Sequence, residues 1–471
     1  MITVPRRALL AVLRVMARIR GVPVWDVVTL DGTVPGRLLV TRQGLQTAMT
    51  RIIMADGAGP DAVLPVVTVG LKRLTRILAV MPGADLTIAA AEAVDLTGAR
   101  YRVAEISTPD RGVVTRMATH AEDCAITVEP APIGVHGTLP GEVLTALLGS
   151  VAYAMSTEEN RFYLNGVCLE FEPGTDETTK VTAVATNGHR LATVSRITTL
   201  DVKTGIRPII PSEAVAAISA LSDEDVTLQF SFDGLVLDVC NSTTRIVAKL
   251  IDGTFPRWQA VIPPPRTTTV SFDRDDLLRA LRPLLTFASK ANGGGVHIVA
   301  TSDALHIRTD SPDRDGVVVT VPAKDGGAGQ DGAGRSGIGQ GSPGQGSIGQ
   351  GGVAQSCAGQ DRIGRSGIGQ GGVNGFYLQD ILRAMPRGVI TMDARPPETD
   401  PRMFVDGRTK GIGWDDPIRI CAKGADSIAV MMPRRLSTTW NPLAPDVGTT
   451  ETVPTPKPKR GTAKQTEALP A

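Results

Sequence analysis

Three stretches decide how the rest of this sequence is read: VPRRALLAVLRVMARI from Val4, LPGEVLTALLGSVAYAM from Leu139 and FDRDDLLRALRPLLTFAS from Phe272. Each carries apolar residues at helical spacing, so each forms an amphipathic helix with one buried side. Their apolar pairs Leu9-Leu10, Val143-Leu144 and Leu277-Leu278 stand 134 residues apart each time. A second helix recurs behind each: VGLKRLTRILAVM from Val69, PSEAVAAISAL from Pro211 and FYLQDILRAM from Phe376. Between the helices lie alternating segments with Asp-Gly or Ser-Asp turn signals, such as VTLQFSFDGLVLDVCN over 226–241 and VHIVATSDALHIRT over 296–309. These are hairpin strands. The repeat predicts an α+β chain of three units, each an antiparallel sheet system with two helices.

Composition bounds the remainder. The 471 residues hold 49 Lys plus Arg against 48 Asp plus Glu, and five cysteines with no CxxC among them. An odd, scattered set of cysteines opposes a disulfide scaffold or structural zinc and points to reduced thiols. No run of 18 apolar residues occurs, and Arg14, Arg18 and Arg20 stand where an export signal would be cleaved, so a soluble, cytoplasmic protein is expected. Residues 325–375 hold 20 of the 51 glycines and repeat GRSGIGQG at Gly334 and Gly364. This stretch is too poor in apolar surface to offset its ordering entropy, and it predicts a flexible insert. Residues 437–471 contain six prolines and the basic cluster Lys457, Lys459, Arg460 and Lys464, which reads as a disordered tail. The expected units are therefore 1–130, 133–264 and 267–436, the last interrupted by the insert.

The helices carry a second pattern on their polar sides. Arg7, Arg14 and Arg18 fall on one side of the first helix, with Arg20 just beyond it. Lys72, Arg73 and Arg76 oppose Leu71, Leu74 and Leu78 in the next. Arg279, Arg282 and Lys290 line one face in the third unit, and Gln379, Arg383 and Arg387 another, while the middle unit has no such stripe. Pro283 is expected to kink or break its helix. One stripe alone describes a solvated helix surface. Recurring stripes at equivalent places describe a basic surface suited to backbone phosphates, which near-zero net charge permits if acids lie elsewhere.

Catalytic chemistry finds little support. The run Ala185-Thr186-Asn187-Gly188-His189-Arg190 holds a histidine, but no nucleophile motif or carboxylate pair accompanies it, and a histidine beside a turn glycine is ordinarily structural. There is no P-loop, no dinucleotide fingerprint placed after a strand and no HExxH. No enzyme activity, cofactor or metal is expected.

Other segments carry a family likeness. RFYLNGVCLEF (161–171), VTAVATNGHRLATVS (181–195), PIIPSEAVAAI (208–218), AKLIDGTFPRWQAVIP (248–263) and VMMPRRL (430–436) resemble, in order and spacing, the bacterial sliding clamp, the beta subunit of DNA polymerase III. The likeness covers about 133–436. The first unit has the right length but few diagnostic residues: Thr41-Arg42-Gln43 and Thr108-Pro109-Asp110 replace family turns, and the insert and tail are additions.

The resemblance implies three clamp domains per protomer and a ring-forming homodimer closed head to tail, with Phe287 and Ala288 at the junction. It implies a processivity factor in DNA replication that encircles double-stranded DNA without sequence preference, contacting it through the basic helix faces and an aromatic pair, Phe162 and Tyr163. It further implies a pocket for short linear peptides from the polymerase III alpha subunit and the clamp loader. Carried over by position, that pocket comprises Leu164, Thr186, Gly188, His189, Arg190, Leu191, Pro256, Val261, Val430, Met431, Met432 and Pro433, with Arg434 and Arg435 at its rim. The alternative is a clamp-derived accessory or decoy protein that binds peptides without encircling DNA.

Overall fold

The computed structural model describes the chain except residues 20–25, 57–62, 111, 121–134, 176–177, 203–206, 220, 222–224, 231–234, 266–268, 289–293, 302–303, 311–315, 325–366, 394–416, 424–425 and 434–471. Arg20, Lys290, Arg434, Arg435 and the tail 437–471 therefore lie outside the described residues. So do Cys124 and Cys357, whereas Cys168, Cys240 and Cys421 are free thiols.

Six helices follow strands directly: α1 (Arg6–Met16), α2 (Leu71–Val80), α3 (Gly141–Ala152), α4 (Ser212–Ile218), α5 (Arg274–Phe287) and α6 (Gly375–Ala384). Proline stands at the joint before α1, α3 and α4, where its fixed φ suits the turn into the helix and its missing amide leaves no orphan donor. Before α5 the joint is Asp273, whose Oδ1 accepts from the amides of Asp275 at 2.9 Å and Asp276 at 3.2 Å. Its other oxygen takes Lys324 Nζ at 2.9 Å.

Pro5, Pro140 and Asp273 are equivalent, so the helices repeat at offsets of 135 and 133 residues rather than a uniform 134. The corrected register aligns Leu9 with Leu144 and Leu277, Leu13 with Leu148 and Leu281, and Met16 with Val151 and Leu284. All nine are buried. Burial of each such side chain is worth roughly 1.5–3 kcal/mol. Pro283 neither ends nor splits α5, which runs on to Phe287. The proline sits on the solvent side between buried Leu281 and Leu284, whose packing holds the turn in which it lies.

Each unit splits its strands between two antiparallel sheets. The sheets do not end at unit boundaries. A nine-stranded sheet joins the first unit to the second by pairing Thr47–Met54 with Thr244–Lys249. An eight-stranded sheet joins the second to the third by pairing Arg190–Thr198 with Ser427–Met431. A four-stranded sheet remains at each end, with outer strands Val114–Ala118 in the first unit and Gly316–Pro322 in the third. The helices form one layer against these sheets: α2 packs on α1, α1 on α4, α4 on α3, α3 on α6 and α6 on α5.

The flexible insert expected over 325–375 is shorter at its far end. Gly367–Asn374 is a strand paired with Gly295–Thr301, and Gly375 opens α6. Strand pairing uses only backbone groups, so a glycine run is accepted once a partner strand is present. Gly375 is closely packed: a Cβ there would lie 2.8 Å from Leu285 Cδ2, which would have to shift. In the first unit, Arg42 is fully buried and tied to Val27 O at 2.7 Å, Ile19 O at 3.3 Å and Asp26 Oδ1 at 2.8 Å. It joins the end of the first helical region to the nine-stranded sheet.

Asp273→Ala is expected to cost about 1 kcal/mol through loss of the cap, with Asp273→Asn closer to wild type. The Lys324 bond, then the helix amides, hold this carboxyl below the usual carboxylate range. A depressed folded value means its contribution is complete above the unfolded value of 3.8 and fades as pH falls through the lower folded one. Hydrogen exchange of the α5 amides against pH reads both effects.

Candidate functional site

Two surfaces merit description as sites. The first is an apolar cluster, with the loops around it, on the face of the eight-stranded sheet away from the helices. Leu164, Cys168, Val184, Leu191, Ile209, Phe255 and Val430 form a buried apolar cluster separate from the two larger cores. Tyr163, Ile251, Trp258, Ile262 and Ile428 pack on it and are partly buried. The residues come from both sides of the second seam, where Leu191 pairs with Val430. Pleating dictates who takes part: Ile428 and Val430 face the groove, while Met431 turns into the core of the third unit and is fully buried. Met431 is thus removed from the expected pocket. Met432 and Pro433 are half-buried, and the amide of Met432 donates to His189 O at 2.9 Å.

Two loops wall the groove. A 3-10 segment, Glu159–Leu164, carries Tyr163 and Leu164 inward and leaves Phe162 53% exposed. Phe162 and Tyr163 meet edge to face at 5.9 Å. Tyr163 packs on the apolar cluster and is half-buried. Facing it, the 3-10 turn Trp258–Val261 is tied down where Gln259 Nε2 donates to Glu170 Oε2 at 3.1 Å, the same carboxylate that pairs with Arg207. Gly253 lets this loop approach, since a Cβ there would meet Tyr163 Cβ at 2.9 Å. Pro256 is exposed and Val261 half-buried at the rim. Burial pushes the Cys168 thiol up to about 12, so it acts as a small apolar side chain.

The turn Thr186–Arg190 closes one end. Asn187 Oδ1 accepts from the amides of His189 and Arg190, both at 3.0 Å, Thr186 Oγ1 donates to Arg190 O at 2.8 Å, and Gly188 takes φ +85°. Arg190 points away from the groove. Its guanidinium donates to the carbonyl of Tyr153 and to Asp380 Oδ2 at 2.8 Å, and lies 4.3 Å from the centre of the Tyr377 ring. His189 stacks on Tyr377 at 6.4 Å. Arg190 and His189 therefore tie the second unit to α6 of the third rather than line an apolar wall. Sequence reasoning also missed Cys168, Val184, Ile209 and Phe255. The alternation Val184-Thr186 along one strand could have exposed part of this set.

The equivalent face of the first seam shows what makes the groove special. Cys168, Val184 and Ile209 correspond to Thr29, Thr41 and Thr68. Those threonines bond across strands, Thr29 with Thr68 at 3.1 Å and Thr41 with Thr50 at 3.2 Å. Among the described residues only the second seam carries a separate apolar cluster on this face.

The second surface is the outer side of the helix layer. Arg7, Arg14, Arg18, Lys72, Arg73, Arg76, Arg279, Arg282, Arg383 and Arg387 are all exposed there. Lys72 reaches Asp26 at 3.2 Å, and Arg279 pairs with Asp276. The middle unit offers Glu142 and Glu213 and no lysine or arginine on α3 or α4. Phe287 is 42% exposed at the end of α5, but Ala288 is buried and presents little to a partner as it stands. Among the described residues, no group of three or more His, Cys, Asp or Glu side chains could hold a metal ion, and no helix is long and apolar enough to cross a membrane.

Comparison with known proteins follows the same lines. A family model described as the central domain of the DNA polymerase III beta subunit matches residues 138–257. A beta sliding clamp of Chlamydia muridarum is 31% identical over 155 residues, which is 33% of this chain and 41% of that protein. This relative is thus matched over less than half its length. A beta sliding clamp of Pseudomonas aeruginosa is 27% identical over 324 residues, 66% of this chain and 81% of that one. The crystal structure of the DNA polymerase III subunit beta from Pseudomonas aeruginosa superposes with a TM-score of 0.65 at 20% identity, covering 93% of this chain and all of the other. A Helicobacter pylori beta clamp bound to a DNA ligase peptide gives 0.64 at 14% identity, over 92% and 99%. At such identities the structural likeness is one of fold.

Arg190→Ala is expected to cost about 1–3 kcal/mol by leaving the Tyr153 carbonyl and Asp380 without their charged donor. Arg190→Lys should recover only part, because it lacks the planar fork. Hydrogen exchange in α6 is the readout, and unchanged protection in both variants would show that the seam does not depend on this contact.

Proposed function

This chain is a distant member of the beta sliding clamp family, a family of non-catalytic polymerase subunits, and from that premise we propose that it is a replicative processivity clamp: two copies close around duplex DNA and tether partners by short peptides in the groove. The cytoplasm is its expected place of work.

The observation that carries the reading is the sameness of the two seams. Counting along cross-strand partners makes Ala48 equivalent to Leu191, and Val247 equivalent to Val430. Ala48 pairs with Val247 and Leu191 with Val430, so both seams use one register. Each time, the outer strand of one unit's second sheet meets the outer strand of the next unit's first sheet. The rule leaves one strand of each kind without a neighbour: Gly316–Pro322 and Val114–Ala118. Applied a third time, between two copies, it sets Gly316 against Arg116 and Val318 against Val114. Val318 is 55% and Val114 42% exposed, as edge residues awaiting a partner would be. A head-to-tail contact of this kind closes at two copies if each of six units turns the chain by a sixth of a circle.

The ring explains the chemistry of the helix face. Topology retains the DNA, so phosphate contacts can be few, exposed and indifferent to sequence, and the ring stays free to slide. The groove supplies what an extended apolar peptide needs: adaptable walls, a glycine turn and a rigid sheet floor.

Cysteines at Val114 and Val318 should join two copies into a covalent ring on mild oxidation, with Val317→Cys plus Val114→Cys as the off-register control. That ring should remain on closed circular DNA through high salt and leave when the DNA is cut. A chain that stays monomeric at micromolar concentration would sink this reading and favour the accessory protein that never encircles DNA. Val261→Glu should weaken a polymerase alpha-derived peptide at least tenfold with the dimer unaltered; equal anisotropy titrations for the two proteins would place the peptide elsewhere.

A further inference from the structure

The helix layer obeys a rule of its own. At each internal junction the first helix of one unit packs on the second helix of the next, α1 on α4 and α3 on α6. Carried to the junction between copies, where the proposed ring would close, the rule places α5 of one chain against α2 of another. The charges at these contacts differ in kind. Each internal contact sets a helix that bears arginine beside one that has no lysine or arginine: α1 meets α4, with Glu213, and α6, whose Arg383 is offset by Asp380, meets α3, with Glu142. At the junction between copies α2 carries three cations and no acid, and α5 carries three arginines against Asp275 and Asp276, with Arg274 paired to Asp275. Asp26 sits beside Lys72 and Asp276 holds Arg279. Arg73, Arg76 and Arg282 are exposed and have no carboxylate partner among the described residues.

We infer that the phosphate-binding surface is composite, an arc of cations completed only when α5 of one copy lies against α2 of the other, and that the same cations repel across the free junction until salt or duplex phosphate neutralises them. The inference rests on the ring reading above and adds where on its lining the duplex is held. Two such arcs flank the two junctions, and the middle units between them are electrostatically silent or mildly acidic. The sign is unusual for a protein contact. Added salt screens exposed charges within a Debye length, about 10 Å at 0.1 M and 3 Å at 1 M, so here it should tighten the dimer rather than loosen it. DNA should act in the same direction, because a ligand that favours the closed ring stabilises it by linkage.

The experiment uses the full chain. Its dimer dissociation constant is measured by sedimentation or mass photometry from 50 to 400 mM NaCl, and exchange of two differently labelled copies is followed with and without nicked circular plasmid. The expected results are a three- to tenfold tighter dimer at the higher salt and slower exchange on the plasmid. The triple variant Arg73→Gln, Arg76→Gln, Arg282→Gln should already dimerise more tightly at 50 mM, with a flat salt response and most of the DNA effect gone. A wild-type dimer that loosens with salt, or a triple variant with the wild-type response, overturns the composite arc while leaving the ring intact. A chain monomeric at every salt overturns both.

Discussion

A β-strand at a sheet edge presents backbone donors and acceptors that must find partners, and in this chain that requirement organises nearly everything else. Three units of similar plan could have packed by side chains alone. They share sheets instead, so that Thr47–Met54 and Thr244–Lys249 pair across one boundary and Arg190–Thr198 and Ser427–Met431 across the other. A shared sheet fixes both the distance and the angle between units, since sliding by one residue would turn every side chain to the opposite face. Unit geometry is therefore inherited from register, and the helix layer inherits its order from the sheets beneath it.

The two seams use one backbone arrangement for different ends. Above the first, threonines bond to each other and ask nothing of a partner. Above the second, cysteine, valine and isoleucine stand at the same positions, and the loops carrying Leu164 and Phe255 cover them, leaving all three buried. Arg190 works from the other side of the sheet, holding the second unit to α6 so that the groove walls keep their spacing. Function at this seam thus comes from a few substitutions on one face, not from a change of fold.

Much of the architecture was legible in the sequence because helical periodicity survives divergence: each of the six helices begins within two residues of the start of its apolar stretch. The repeat length was misread by one residue, and the cause is physical. Apolar doublets such as Leu9-Leu10 and Leu277-Leu278 fit the buried stripe in two adjacent registers, and only the strand-to-helix joint at Pro5, Pro140 and Asp273 decides between them. Residues 367–372, GIGQGG, repeat the composition of the preceding insert, so their strand could not be told from it. The roles of Arg190 and Met431 depended on which face of a strand each occupies and on Tyr377 and Asp380, residues nearly two hundred positions from Arg190. No local pattern encodes that meeting.

The distribution of charge follows from the same division of labour. A clamp of the kind proposed would need its duplex held loosely, and a uniform basic lining would hold it on every side. Here α3 and α4 withhold cations, while α1, α2, α5 and α6 present them. The middle unit already has two partner strands and a groove to maintain, and its helices carry alanine and glycine where the outer units carry arginine: Gly149 stands where Arg14 and Arg282 do. In the proposed ring, repulsion among cations at the junction would oppose the backbone pairing there, and the balance would shift toward closure once phosphate neutralised them.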